Sequence, residues 1–132
     1  VDILSFNQYI GWYRDTPQSA LDMEWNIPYD KPVMISEFGA GALQGYHGDK
    51  NQRFTEEYMV EVYKNNLMMF DKIDGLRGTS PWILVDFYSP RRQLTGIQDF
   101  FNRKGLISNS GIKKDAFFIM RDWYCKKKEA YK

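Results

Sequence analysis

The chain has 132 residues, 43% of them hydrophobic, with 18 basic and 17 acidic side chains and a net charge of +1. That length suffices for one domain with a core, and the near-neutral balance argues against both a disordered chain and an electrostatic nucleic-acid binder. No apolar run approaches the roughly 18 residues of a membrane span, and the single cysteine, Cys125, excludes an internal disulfide and a cysteine-based metal site.

Taken in order, Ile3–Tyr9 reads as a first strand that turns polar towards its end. The first residue is Val1, not Met, and Asp2–Asn7 is already strand-like, as expected of a piece of a longer chain. An aromatic-rich loop follows at Ile10–Arg14. Thr16 as N-cap and Pro17 at the first helical position then predict a helix with Leu21, Met23 and Trp25 on its apolar face, ended by Pro28. Val33, Met34 and Ile35 predict a second strand, buried on both faces as in a parallel sheet, that runs into Glu37 and the small residues Gly39–Ala42. A carboxylate at the C-terminal end of a buried parallel strand is where barrel enzymes keep their chemistry, although a Glu that simply meets solvent would look the same.

A long loop over 39–52 carries His47, the only histidine, which alone makes neither a triad nor a metal site. Thr55, Glu56 and Glu57 predict the start of a long helix whose buried face holds Tyr58, Val62, Met69 and Ile73, widened by Met59 and Phe70. Pro81–Phe87 reads as a third buried strand, again ending at a carboxylate, Asp86. A second long polar loop, Tyr88–Gly111, contains Arg91 and Arg92. The last helix, from about Ile112, turns Ala116, Phe117, Met120 and Tyr124 inward and ends on the solvated run Lys126–Lys128.

Strand and helix alternate three times, with a long loop leaving a strand. This is the βα repeat of a parallel α/β architecture, and three units cannot close a barrel that needs eight. Tyr, Phe and Trp make up 17% of the chain, more than its core needs, and amphipathic rings suit a surface on which a sugar or base stacks. From residues alone, Glu37 and Asp86 could form a catalytic pair, or Asp86 could hold a loop arginine such as Arg91 or Arg92.

The segments Ser36-Glu37-Phe38-Gly39-Ala40, Pro81–Phe87 and Asn102-Arg103-Lys104-Gly105-Leu106 resemble the last third of the catalytic barrel of glycoside hydrolase family 2, and within it the β-glucuronidases, including bacterial ones. The resemblance covers residues 1–132 and implies a partial TIM (β/α)8 barrel, the sixth to eighth βα units, forming the C-terminal portion of a glycosidase catalytic domain. It implies a retaining β-glucuronidase with Glu37 as nucleophile. Asn7, Tyr9 and Tyr13 would line the sugar pocket, Trp82 would form its floor, and Asn102 and Lys104 would hold the uronate. Tyr88 departs from the pattern, which has an arginine there.

The family's acid/base glutamate follows an asparagine on an earlier strand, and no such motif occurs here, so the chain would carry half of the catalytic pair and be inactive alone. No metal or organic cofactor is implied. The implied partners are a β-glucuronide and the remainder of the catalytic domain, with no nucleic acid and no membrane; a homo-oligomeric parent is compatible, and the compartment stays open between bacterial cytoplasm and periplasm. A β-galactosidase or galacturonidase of the same family, or a non-catalytic sugar-binding fragment, are the alternatives.

Overall fold

The structure, a computed structural model, describes residues 1–130. Three strands, β1 (Leu4–Asn7), β2 (Val33–Glu37) and β3 (Leu76–Thr79), form one parallel sheet in sequential order, with β2 in the middle. The register sets Leu4 beside Val33 and Val33 beside Leu76. A short 3-10 helix (Pro17–Asp22) lies in the β1–β2 connection, α1 (Glu56–Phe70) in the β2–β3 connection, and α2 (Asp115–Ala130) closes the described chain. The chain is thus a small mixed α/β unit.

The core lies between the sheet and α1. Val33 and Ile35 project from β2 into it, against Phe38, Met59, Val62, Tyr63, Leu67, Met69 and Phe70, all buried. Helix α1 begins where the sequence requires: the Thr55 hydroxyl accepts from Tyr58 N at 3.0 Å, and Glu56 and Glu57 face the positive end of the helix dipole. Tyr58, Val62, Met69 and Ile73 are buried together with Met59 and Phe70, as the helical spacing predicts.

Several expectations are corrected. The third strand of the sheet is Leu76–Thr79, ahead of the apolar run, because the backbone of β3 reaches β2 there despite Arg77 and Gly78. Residues 83–86 instead run beside 104–107, with Ile83 N bonded to Lys104 O at 3.0 Å and Asp86 N to Ile107 O at 2.9 Å. Strand β2 is not buried on both faces: Met34 is 36% exposed, on the side of the sheet away from α1. The first helix is a single 3-10 stretch that stops at Met23, after which Met23, Trp25 and Ile27 alternate with exposed residues as in an extended chain. The polar loop after residue 87 contains a hairpin, β4 (Phe87–Tyr88) paired antiparallel with β5 (Phe101–Asn102). Helix α2 starts at Asp115; Ala116 and Met120 are buried, Phe117 is partly buried, and Tyr124 is 41% exposed with its hydroxyl on Thr79 O at 2.7 Å.

One buried ion pair joins these pieces. Lys114, fully buried just before α2, donates from Nζ to Asp86 Oδ1 at 2.8 Å, to Ala42 O at 2.7 Å and to Arg103 O at 2.9 Å. Asp86 Oδ1 also accepts from Gly105 N at 2.8 Å, and Arg103 Nη1 lies 3.5 Å from Asp86 Oδ2. Gly105 is obligatory here, since a Cβ at that position would fall 2.1 Å from Asp86 N. Burial pushes the Asp86 carboxyl up and the Lys114 ammonium down, while each opposes the shift in the other. Lys114→Ala would strand the Asp86 charge inside the protein, so it is expected to cost about 3–5 kcal/mol, read as a lowered denaturant midpoint with unchanged slope.

Candidate active site

The site begins at the C-terminal ends of β1 and β2. Asn7 ends β1, and its Oδ1 accepts from the Ser36 hydroxyl at 2.6 Å, which holds the two strand ends together. Glu37 ends β2 and accepts from the Tyr9 hydroxyl at Oε2, 2.9 Å away. Burial, the Glu37 bond and the Glu37 charge all hold the Tyr9 hydroxyl above its ordinary range, so Tyr9 stays a donor to the carboxylate. Behind Glu37, Gly39 adopts φ +138°, and a Cβ there would lie 2.8 Å from the Tyr63 hydroxyl and 3.0 Å from Trp82 O. The turn that aims Glu37 is packed against backbone and a buried ring.

The loop after β1 is anchored from below by α1. Tyr58 donates to Gly11 O at 2.6 Å, and the Asn66 amide donates to Ile10 O at 3.2 Å and pairs through Oδ1 with Gln8. This buried polar set fixes a tight loop with Trp12 turned inward and Tyr13 outward, 59% exposed. The Tyr9 and Tyr13 rings meet edge to face with centroids 5.0 Å apart. Nothing in the periodicity points to Asn66 or Gln8; only the position of Asn66 on the inward face of a helix could have flagged it.

Lys104 reaches the same place from the far side. It is 3% exposed, its Nζ donates to the Tyr13 hydroxyl at 2.7 Å, and the ammonium lies 4.8, 5.5 and 5.9 Å from the ring centroids of Tyr13, Trp12 and Tyr9. Among the described residues no carboxylate pairs with it. Burial pulls the Lys104 ammonium below the usual lysine range, helped by the charges of Arg92 and Arg53, although Tyr13 opposes this. Burial raises the Tyr13 hydroxyl, but the Lys104 hydrogen bond and charge, aided by Arg92, outweigh it and leave the group below its ordinary value. Asn102, buried at the end of β5, accepts at Oδ1 from Lys104 N at 3.1 Å, which orients its amide N–H groups as donors for a ligand.

Trp82 stands between the two halves. Its N donates to Phe38 O at 2.8 Å, while the next residue, Ile83, donates to Lys104 O at 3.0 Å. The indole is partly buried, edge-on to Phe87 with centroids 6.1 Å apart. The direct contacts therefore tie Glu37 to Tyr9, Tyr9 to Tyr13 and Tyr13 to Lys104, while Asn7, Trp82 and Asn102 border this chain through Ser36, the backbone and Lys104. Asp86 is withdrawn into its bonds with Lys114 and Arg103, so neither a Glu37–Asp86 pair nor a bond from Arg91 or Arg92 to Asp86 is formed. His47 is taken up by Glu57, with Nδ1 and Oε1 2.8 Å apart. No group of His, Cys, Asp and Glu among the described residues is arranged to hold a metal.

The arrangement offers a carboxylate at one end and a desolvated cation at the other, with aromatic rings between. A polar ring carrying an acidic substituent matches it. No protein-family model matches the chain. It is 31% identical over 128 residues to the β-glucuronidase of Paenibacillus borealis, covering 91% of this chain and 21% of that protein. To the human β-glucuronidase it is 32% identical over 139 residues, 96% of this chain and 20% of that one. The chain thus spans about a fifth of the length of the curated relatives it matches. Among solved structures, a β-D-glucuronidase of Dictyoglomus thermophilum superposes with a TM-score of 0.78 at 32% identity, over 94% of this chain and 22% of that one. A family 2 β-galacturonidase of Eisenbergiella tayi bound to galacturonate gives 0.78 at 27%, over 95% and 24%.

An unpaired ammonium inside a protein is a cost to folding. Lys104→Met, which keeps the stem and removes the charge, is expected to raise the midpoint of thermal unfolding by a few degrees, the order expected for about 1 kcal/mol.

Proposed function

The chain is a relative of one stretch of the family 2 β-glucuronidases, and on that footing we propose that it forms the sixth to eighth βα units of a TIM (β/α)8 barrel, the C-terminal portion of the catalytic domain of a longer retaining β-glucuronidase. A parallel sheet whose outer strands β1 and β3 each have one neighbour, with a side left open at Met34, supports this architecture. The remaining strands of the domain would continue the sheet.

The observation that carries the function is Lys104, a buried cation without an anionic partner among the described residues, reached through aromatic rings from Glu37. A uronate carboxylate supplies the missing charge; a neutral sugar does not. In the proposed reaction the ionised Glu37 attacks the anomeric carbon as the bond to the leaving oxygen breaks. A second glutamate, from outside this segment and about 5–5.5 Å from the first, protonates that oxygen. The same glutamate then takes a proton from water, which releases the sugar from Glu37 with its configuration retained. Tyr9 steadies the Glu37 carboxylate, Asn7 and Tyr13 line the sugar, Trp82 floors it, and Asn102 with Lys104 holds the uronate. No metal or organic cofactor takes part in this scheme.

A β-galacturonidase is the second reading, favoured by the likeness to the E. tayi enzyme, since the same cation would serve a uronide that differs at one ring hydroxyl. The decisive assay compares p-nitrophenyl β-D-glucuronide, β-D-galacturonide and β-D-galactoside, with this segment alone and with the chain extended upstream. Turnover only in the extended form, and only of uronides, is the expected result; hydrolysis by the segment alone would place a second catalytic carboxylate within it. In the extended chain, Glu37→Gln should lower kcat by at least about a thousandfold while glycoside binding persists. Uronide KM should rise at alkaline pH as Lys104 loses its proton, and because burial lowers its pKa, this should begin at a lower pH than for an exposed lysine.

A further inference from the structure

The hairpin β4–β5 brings a second cation to the Tyr13 hydroxyl. Arg92 sits on the connection between these strands, where its N donates to Ser89 O at 3.0 Å and its O accepts from Phe100 N at 2.7 Å. Its side chain is partly buried, and Nη2 stands 3.4 Å from the Tyr13 hydroxyl, which also accepts from Lys104 at 2.7 Å. One phenolic oxygen thus bonds both an ammonium and a guanidinium, and no carboxylate among the described residues pairs with either.

Tyr13 is neutral or at most singly charged, so it cannot balance both cations. A guanidinium presents five N–H donors in a planar fork, and Tyr13 is the only side chain that Arg92 contacts through a hydrogen bond among the described residues. Arg53, the other cation nearby, is differently placed: it stacks 3.9 Å over Trp12 and donates to Trp12 O at 2.9 Å, so it serves the loop itself. Arg91, next in the chain, is exposed and has no side-chain hydrogen bond or ion pair among the described residues.

We propose that Arg92 is a specificity-determining residue, whose guanidinium fork grips the acidic group of the substrate from across the Tyr13 hydroxyl, with Lys104 as the other hand. This rests on the uronide reading above. A carboxylate has two oxygens and about four lone-pair positions, enough for one point charge and one fork at once. The two cations are also unequal in kind. Lys104 is buried and held by three rings, whereas Arg92 rides on a hairpin of two residue pairs whose tips are exposed, with Tyr88 at 65% and Phe100 at 48%. Arg92 would therefore contribute to ground-state binding of the acid group more than to the chemical step at Glu37.

The test uses the longer chain with Arg92→Ala, Arg92→Lys and, as control, Arg91→Ala, assayed on p-nitrophenyl β-D-glucuronide and β-D-galactoside. Arg92→Ala should raise uronide KM by about tenfold or more, with kcat within about threefold and the neutral substrate unaffected. Arg92→Lys, which keeps the charge and loses the fork, should fall between, and also decides the matter if the alanine variant does not fold; Arg91→Ala should match the parent. Unchanged uronide KM in Arg92→Lys and Arg92→Ala, or an equal loss on both substrates, overturns the role of Arg92 while leaving the uronide reading intact. A parent enzyme with no preference for the uronide overturns both.

Discussion

Everything on the far side of the site hangs on the Lys114 ammonium. Its three acceptors belong to three different segments: the loop after β2, the stretch that replaces a third long strand, and the strand-like run that carries Lys104. Three N–H donors meeting three oxygens leave nothing unsatisfied on the cation, which is the condition under which a buried charge is tolerated. The same bonds take Asp86 out of the chemistry. A carboxylate at the end of an apolar run looks like a catalytic group from the sequence, and here it is a fastening.

On the near side the fastening is neutral and comes from α1. Asn66 pairs with Gln8, and Asn66 and Tyr58 each donate to the backbone of the loop that carries Tyr9 and Tyr13. Glu56 extends the system, accepting from Gly45 N at 2.6 Å and from Asp115 N at 2.7 Å, so the start of α1 also satisfies the first N–H of α2. The stitch through Trp82 and Ile83 then joins the two sides by consecutive peptide N–H groups. Glu37 and Lys104, at opposite ends of the site, are referred to one framework, while each takes a local hydrogen-bond partner, Tyr9 for Glu37 and Tyr13 for Lys104.

What the sequence revealed and what it hid follow from range. Local signals were sound: Thr55 before two glutamates gave the start of α1, and the 3.6-residue rhythm from Tyr58 to Ile73 gave its buried face. β-branched Val33 and Ile35 gave the central strand, and the residues around Glu37 and Lys104 that suggested chemistry do come together through Tyr9 and Tyr13. Hidden were the features decided by distant backbone. Leu76–Thr79 contains Arg77 and Gly78 and has no strand-like pattern, yet it pairs with β2, while the more apolar Pro81–Phe87 does not join that sheet. Lys114 is one of two adjacent lysines in an unremarkable polar stretch, and only the fold tells it from Lys113. Met34 looked like core because its neighbours are core, but a strand alternates its sides and one side of this sheet carries no cover among the described residues.

The hairpin β4–β5 has a further consequence. Between its strands it is tied down sparsely: Arg103 donates through Nε to Ile97 O at 2.9 Å and lies 4.9 Å over the Phe101 ring, and it meets the site through Arg92, Phe87 and Asn102. The Lys114 junction grips its two ends, at Asp86 and Arg103, and leaves the connection between β4 and β5 to itself. The connection between its two strands, residues 89–100, can therefore change in length or sequence without touching Glu37 or the core, and such changes would bear on the Arg92 end of the site alone.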